Sequence, residues 1–207
     1  MRALPGPSRR ITQIDVLKGI AMVMVICLHA LPAHELFDSA ALLWLGQAVP
    51  IFVVVMGING TLSLMRSNAV RLRELYPPGY ARSRIERLWL PFAVLFCAAM
   101  VVAIARGTAS ARQLTGLVTG VLPIAGPGNY FVTFSFQFAV CFPIIYACFR
   151  RSLAASVAAA FAINIAFEVA AGHMALFVNG PYYYVSSILH WLPFIAVGGV
   201  LAYFMAA

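Results

Sequence analysis

The sequence predicts an all-α protein, a polytopic transmembrane helical bundle with about six full spans plus one short re-entrant or interfacial segment. Three observations carry that prediction. Of the 207 residues, 63% are hydrophobic and only 10% are charged, whereas a soluble domain carries about 25% charged residues. The apolar residues gather into six runs, each meeting the roughly 17–25 residues that a span requires. The cations fall between those runs, where the positive-inside rule puts them, so the net charge of +8 speaks for a bilayer and not for nucleic acid.

Residues 1–10 read as a cytoplasmic N-terminal tail and 11–207 as a single transmembrane domain. The tail looks like the basic start of a signal peptide. The first run, Ile11–Leu31, carries Asp15 and Lys18 and is about twenty residues long, which favours a retained helix. His34, Glu35 and Asp38 follow in an external loop, and Ala40–Met65 is the second span. Residues 66–87 hold six Arg against two Glu, and Leu88–Ala105 is the third span. Leu114–Ala125 is apolar but short, and it ends at the breaker run Gly126-Pro127-Gly128. Tyr130–Phe149 is the fourth span, closed by Arg150 and Arg151, and Leu153–Ala171 is the fifth. Tyr182–Ala207 is the sixth, and it stops without polar flank or basic anchor, so the chain is expected to be incomplete at its C-terminus. All three Arg clusters fall in the cytoplasm provided Leu114–Ala125 does not cross. No internal repeat is visible.

The ionisable residues inside spans are the candidates for chemistry, because charge in a bilayer costs at least about 2.5 kcal/mol per group. Asp15, Lys18 and His29 share the first span, and Lys18 is the only lysine. At about 100° per residue, the step from Lys18 to His29 returns to within roughly 20° of one helix face, about 16 Å further along. Asp15 is one turn from Lys18. The carboxylate of Glu168, with Asn164 one turn earlier, lies inside the fifth span and is a candidate for an acceptor hydroxyl or for a structural hydrogen bond. His34 and Glu35 are candidates for an outer mouth. His173 and His190 carry no partner signal, and Tyr182, Tyr183 and Tyr184 read as an interfacial aromatic belt. Arg84 and Arg87 stand at the start of the third span, where guanidinium forks suit phosphate. Arg82 is a weaker candidate beside them, and Arg66, Arg71 and Arg73 read as topology signals. Cys27, Cys97, Cys141 and Cys148 lie in apolar runs with no paired spacing, which leaves neither a disulfide nor a metal site to propose.

Several blocks together carry a family resemblance. The first span reads Ile14-Asp-Val-Leu-Lys-Gly-Ile-Ala-Met-Val-Met-Val-Ile-Cys-Leu-His29, the second contains Pro50, Phe52 and Gly57, the third is introduced by Arg84, Arg87, Leu88 and Pro91, and the fourth begins at Gly128-Asn-Tyr-Phe131. In order and spacing these resemble the membrane acyltransferase-3 family, with Lys18 in the basic position as in its fucose-acetylase-like branch. Met56 stands where that family usually has serine, and Tyr130 where it has tryptophan. Members typically have about ten helices, which this chain does not reach.

The resemblance implies an O-acyltransferase that moves an acyl group, acetyl above all, from acetyl-coenzyme A or another acyl-coenzyme A to a carbohydrate or glycolipid hydroxyl. It implies a bacterial inner membrane location, polysaccharide modification, and no permanently bound cofactor. Imidazole suits a base working near neutrality, so His29 is the expected base, with Lys18 and Asp15 as further catalytic candidates on the same helix. Arg84, Arg87 and Arg82 are expected at the donor, and Glu168, His34 and Glu35 at the acceptor. A covalent acyl-histidine has no separate support. Two other readings stay open: an inactive fragment or membrane interaction protein, given the short chain, and a proton-coupled transporter, for which repeated halves would speak.

Overall fold

The computed structural model describes residues 11–38, 40–67, 71–124, 126, 128–178 and 180–207. The expected tail with Arg2, Arg9 and Arg10, the end of the short segment at Ala125, and Pro127 lie outside the described residues. The helices are α1 (Thr12–Ala30), α2 (Ala33–Asp38), α3 (Ala41–Leu45), α4 (Ala48–Arg66), α5 (Pro78–Arg84), α6 (Leu90–Ala105), α7 (Gly116–Thr119), α8 (Tyr130–Arg151), α9 (Leu153–His173), α10 (Ala175–Val178), α11 (Pro181–Ser186) and α12 (Ile188–Ala206). Strands are absent among the described residues. Among the described residues, six helical stretches are long and apolar enough to cross a membrane: Thr12–Ala30, Ala41–Arg66, Leu72–Ala105, Tyr130–Arg151, Leu153–His173 and Tyr182–Ala206. The predicted helical bundle is the fold observed.

The centre of the bundle is the pair α4 and α12, with α9 and α1 packed on them. Helices do not associate in lipid by hiding apolar surface from water, so close backbone approach must supply the attraction. Gly57 and Gly198 provide it. A Cβ at Gly57 would stand 2.7 Å from the Ile195 carbonyl oxygen, and one at Gly198 would stand 2.2 Å from that of Val54. Around this seam, Val53, Leu64, Phe134, Phe138, Phe142, Tyr146, Trp191 and Ile195 form the main buried cluster.

Two gaps in the backbone hydrogen bonding of the spans are answered by side chains, as a backbone in lipid requires. The last span is interrupted at Ser187 between α11 and α12. There the Gln137 amide donates to the Ser186 carbonyl at 2.9 Å and accepts from the Ile188 N–H at 2.9 Å. In α8, Pro143 has no N–H to give to the Ala139 carbonyl. The Tyr80 hydroxyl donates to that carbonyl at 2.7 Å, and the Tyr76 hydroxyl donates to the neighbouring Val140 carbonyl.

The third span starts earlier than its hydropathy indicates. Helical structure begins at Pro78, ten residues before the expected Leu88, and passes through a widened π turn at Ile85–Trp89. Pro91 supplies the reason: it leaves the Arg87 carbonyl without an i+4 donor, and the wider turn pairs the Leu90 N–H with Ile85 instead. The short apolar segment is a 3₁₀ turn (Ala111–Thr115) followed by α7, and it folds back along α6. Gly116 rests on Phe96, and the Trp89 indole N–H donates to the Leu117 carbonyl at 3.0 Å.

Candidate active site

α1 is held by one face. Ile14 is buried in a cluster with Val55, Ile58 and Leu62 of α4 and Ala202 of α12, and Ala21 is fully covered one heptad on. Asp15 lies in the first turn, where a carboxylate also complements the helix dipole. Lys18 Nζ stands 3.6 Å from Asp15 Oδ1, with the side chains 41% and 33% exposed. His29 lies in the last turn of α1 and is exposed, with no hydrogen-bond partner among the described residues. Asp15 and Lys18 therefore pair within the first turns of α1, and His29 stands apart from them along the same helix.

The arginines divide. Arg84 is half-buried, with its guanidinium carbon 4.8 Å from the centre of the Tyr80 ring and its Nε buried without a hydrogen-bond partner among the described residues. Arg82 is exposed and pairs with Glu86 at 2.7 Å. Arg87 is exposed. The π turn enters between them, so the two residues that an α-helix would stack one turn apart differ in environment. α1 packs on α4 and α3, whereas Tyr80 ties the Arg84 segment to α8, so Lys18 and Arg84 reach the bundle through different partners.

Glu168 sits in a network. His190 Nδ1 lies 2.8 Å from its Oε1, the Asn164 amide donates to it at 3.3 Å, and the Tyr184 hydroxyl donates to its other oxygen. The His190 and Glu168 side chains are 23% and 36% exposed. Asn164 also donates to the Leu189 and His190 carbonyls, at 3.1 Å each, in the first turn of α12. Sequence reasoning found Glu168 and Asn164 and missed His190. The usable signal was physical: a carboxylate within a span needs a partner, and His190 is the histidine of the last one. The tyrosines read as an interfacial belt stand at the start of the last candidate span. Tyr184 turns to Glu168, and Tyr182 shares a 2.6 Å hydrogen bond with Thr133, while Tyr183 is exposed. His34 and Glu35 are exposed on α2, and all the partners of Glu168 come from α9, α11 and α12.

The remaining motif residues have structural work. Gly57 makes the α4–α12 seam. Phe52 and Phe131 from two of the blocks meet with ring centres 6.1 Å apart. Asn129 is buried, and its Oδ1 accepts from the Leu122 N–H at 3.4 Å, anchoring the folded-back segment at the start of α8.

A bundle of six membrane-length helices with ionisable groups inside its spans defines an integral membrane protein. A family model described as an acyltransferase domain matches residues 11–205, nearly the whole chain, and the protein belongs to this acyltransferase-3 family. No curated protein and no solved structure matches the chain.

Proposed function

We propose that the protein transfers an acetyl or other acyl group from acyl-coenzyme A to a carbohydrate hydroxyl across a bacterial inner membrane, with its N-terminus in the cytoplasm. The observation that carries this reading is α1, in a chain of the acyltransferase-3 family: a paired Asp15–Lys18 at one end and an exposed His29 at the other, along one helix. In the reaction the acceptor hydroxyl oxygen attacks the thioester carbonyl carbon. His29 takes the hydroxyl proton, the C–S bond breaks, and the proton passes to the coenzyme A thiolate. Lys18 and Arg84 supply cations for the donor phosphates. The Tyr80 ring holds the Arg84 fork in place, which lowers the ordering cost of gripping an anion; its buried Nε is a donor with no partner among the described residues, which an anion would satisfy.

One observation favours a second base. Glu168 holds His190 through Nδ1, which leaves Nε2 to accept a proton, the arrangement by which a carboxylate orients a catalytic imidazole. The test uses protein in lipid nanodiscs, radiolabelled acetyl-coenzyme A and a bacterial envelope polysaccharide fraction. Label entering polysaccharide with wild type, and not with His29→Ala, supports the first reading. Loss with His190→Ala alone transfers the role to His190.

A further inference from the structure

We propose that a cavity between the folded-back segment, the start of α8 and α11 is a binding site for an anionic sugar. It has a volume of about 530 Å³, within the range of about 300–1,000 Å³ typical of small-molecule sites. Ser110, Arg112, Gln113, Thr119, Thr133 and Tyr182 are among the residues that line it.

Half of the hydroxyls on this wall spend their protons within the protein. The Thr115 hydroxyl donates to the Arg112 carbonyl at 2.8 Å and the Thr119 hydroxyl to the Thr115 carbonyl at 3.1 Å. Thr133 and Tyr182 share one hydrogen bond at 2.6 Å. The Gln113 amide is pinned at both ends, donating to the Pro123 carbonyl at 3.1 Å and accepting from the Ser110 N–H at 2.8 Å. What remains is hydroxyl lone pairs together with the protons of Ser110, Tyr183 and one of the Thr133–Tyr182 pair. Such a wall both accepts and donates hydrogen bonds and suits a polyol, whose hydroxyls do the same. Arg112 is the cation on this wall; no carboxylate lines the cavity, and Arg112 forms no ion pair among the described residues. A free guanidinium fork selects a carboxylate or phosphate. Tyr183 adds an exposed ring set edge-on to Tyr182 at 88°, a flat face for the C–H side of a pyranose. A polyol carrying one acid group satisfies all three features.

As the acceptor subsite, this cavity rests on the acyl-transfer reading; as a binding site, it does not. The experiment therefore omits any acyl donor. Protein in neutral phosphatidylcholine nanodiscs is titrated with methyl β-D-glucuronide and methyl β-D-glucoside, with saturation-transfer NMR as the readout. The glucuronide is expected to bind about tenfold more tightly, the scale of one charge-assisted contact. Arg112→Gln brings it to the level of the glucoside, and Thr119→Leu weakens both by filling the cavity. Because no acyl donor is present, binding is read whether or not transfer occurs. A maleimide reacting with Thr119→Cys, in a background without native cysteines, gives a second readout, slowed by the glucuronide. Equal affinities for the two sugars, or unchanged glucuronide binding in Arg112→Gln, overturn the proposal. Displacement of the glucuronide by phosphatidylglycerol added to the disc, lost in Arg112→Gln, assigns the cavity to a lipid headgroup and overturns it too.

Discussion

His29 and His190 present the same imidazole in opposite settings: exposed at the end of α1, and held at 2.8 Å by Glu168. A general base contributes about 10²–10⁴-fold, so His29→Ala is expected to lower acetyl transfer by that factor at matched expression, measured with radiolabelled acetyl-coenzyme A. Wild-type turnover would remove His29 from the mechanism. For Arg84 the question is charge against shape. Arg84→Ala is expected to weaken the donor by about 1.5–3 kcal/mol. Arg84→Lys keeps the charge, loses the fork and the flat stack over Tyr80, and restores donor affinity only in part. Full rescue by lysine would reduce Arg84 to a point charge. At this scale the sequence was legible where partners lie on one helix. Asp15 and Lys18 are three residues apart, and so is the 3.6 Å pair they form. Glu168 and His190 are 22 residues apart on different helices, and no spacing rule joins them.

Elements show what lipid makes readable. A span must be continuously apolar, so the six spans follow from hydropathy, and the short length of 114–125 correctly kept it from being counted as another. Breaks are less readable, because the group that repairs a break lies elsewhere. Ser187 sits in an apolar run, and Gln137, fifty residues earlier, pairs the two backbone groups that flank the interruption. The π turn escaped for the same reason, since Pro91 announces a missing donor without saying how the backbone will respond. The glycine seam gives the test at this scale. Gly198→Val places a Cβ against the Val54 carbonyl, where 2.2 Å leaves no room. The variant is expected to lose most of its folded yield in detergent, read by size-exclusion chromatography. Gly79→Val is the control, because open space surrounds that position. Equal yields would mean that α4 and α12 do not need their close approach.

For the whole molecule, the arginines predict the direction in which the six candidate spans cross. Arg66, Arg71, Arg73, Arg150 and Arg151 fall at one end if the 111–119 segment returns rather than crosses, and the structure gives it two short pieces of five and four residues. A cysteine at Arg73, placed in a background without Cys97 and Cys148, which are exposed, is expected to react with an impermeant maleimide only after the cells are opened. One at His34 is expected to react in intact cells. The reverse pattern inverts the topology. A further property of the assembled molecule comes from Pro143. By withholding one proton from Ala139, it leaves a socket in the middle of α8, and Tyr80 plugs into it. Arg84 leans on that same ring. The aim of a guanidinium in the third span is therefore set by an imino acid 59 residues away, as the seat of a hinge sets the swing of a door. Pro143→Ala would return the proton and compete with the tyrosine for its socket, so donor affinity is expected to fall in a variant that alters no residue near the donor, while Pro123→Ala, on the folded-back segment, leaves it unchanged.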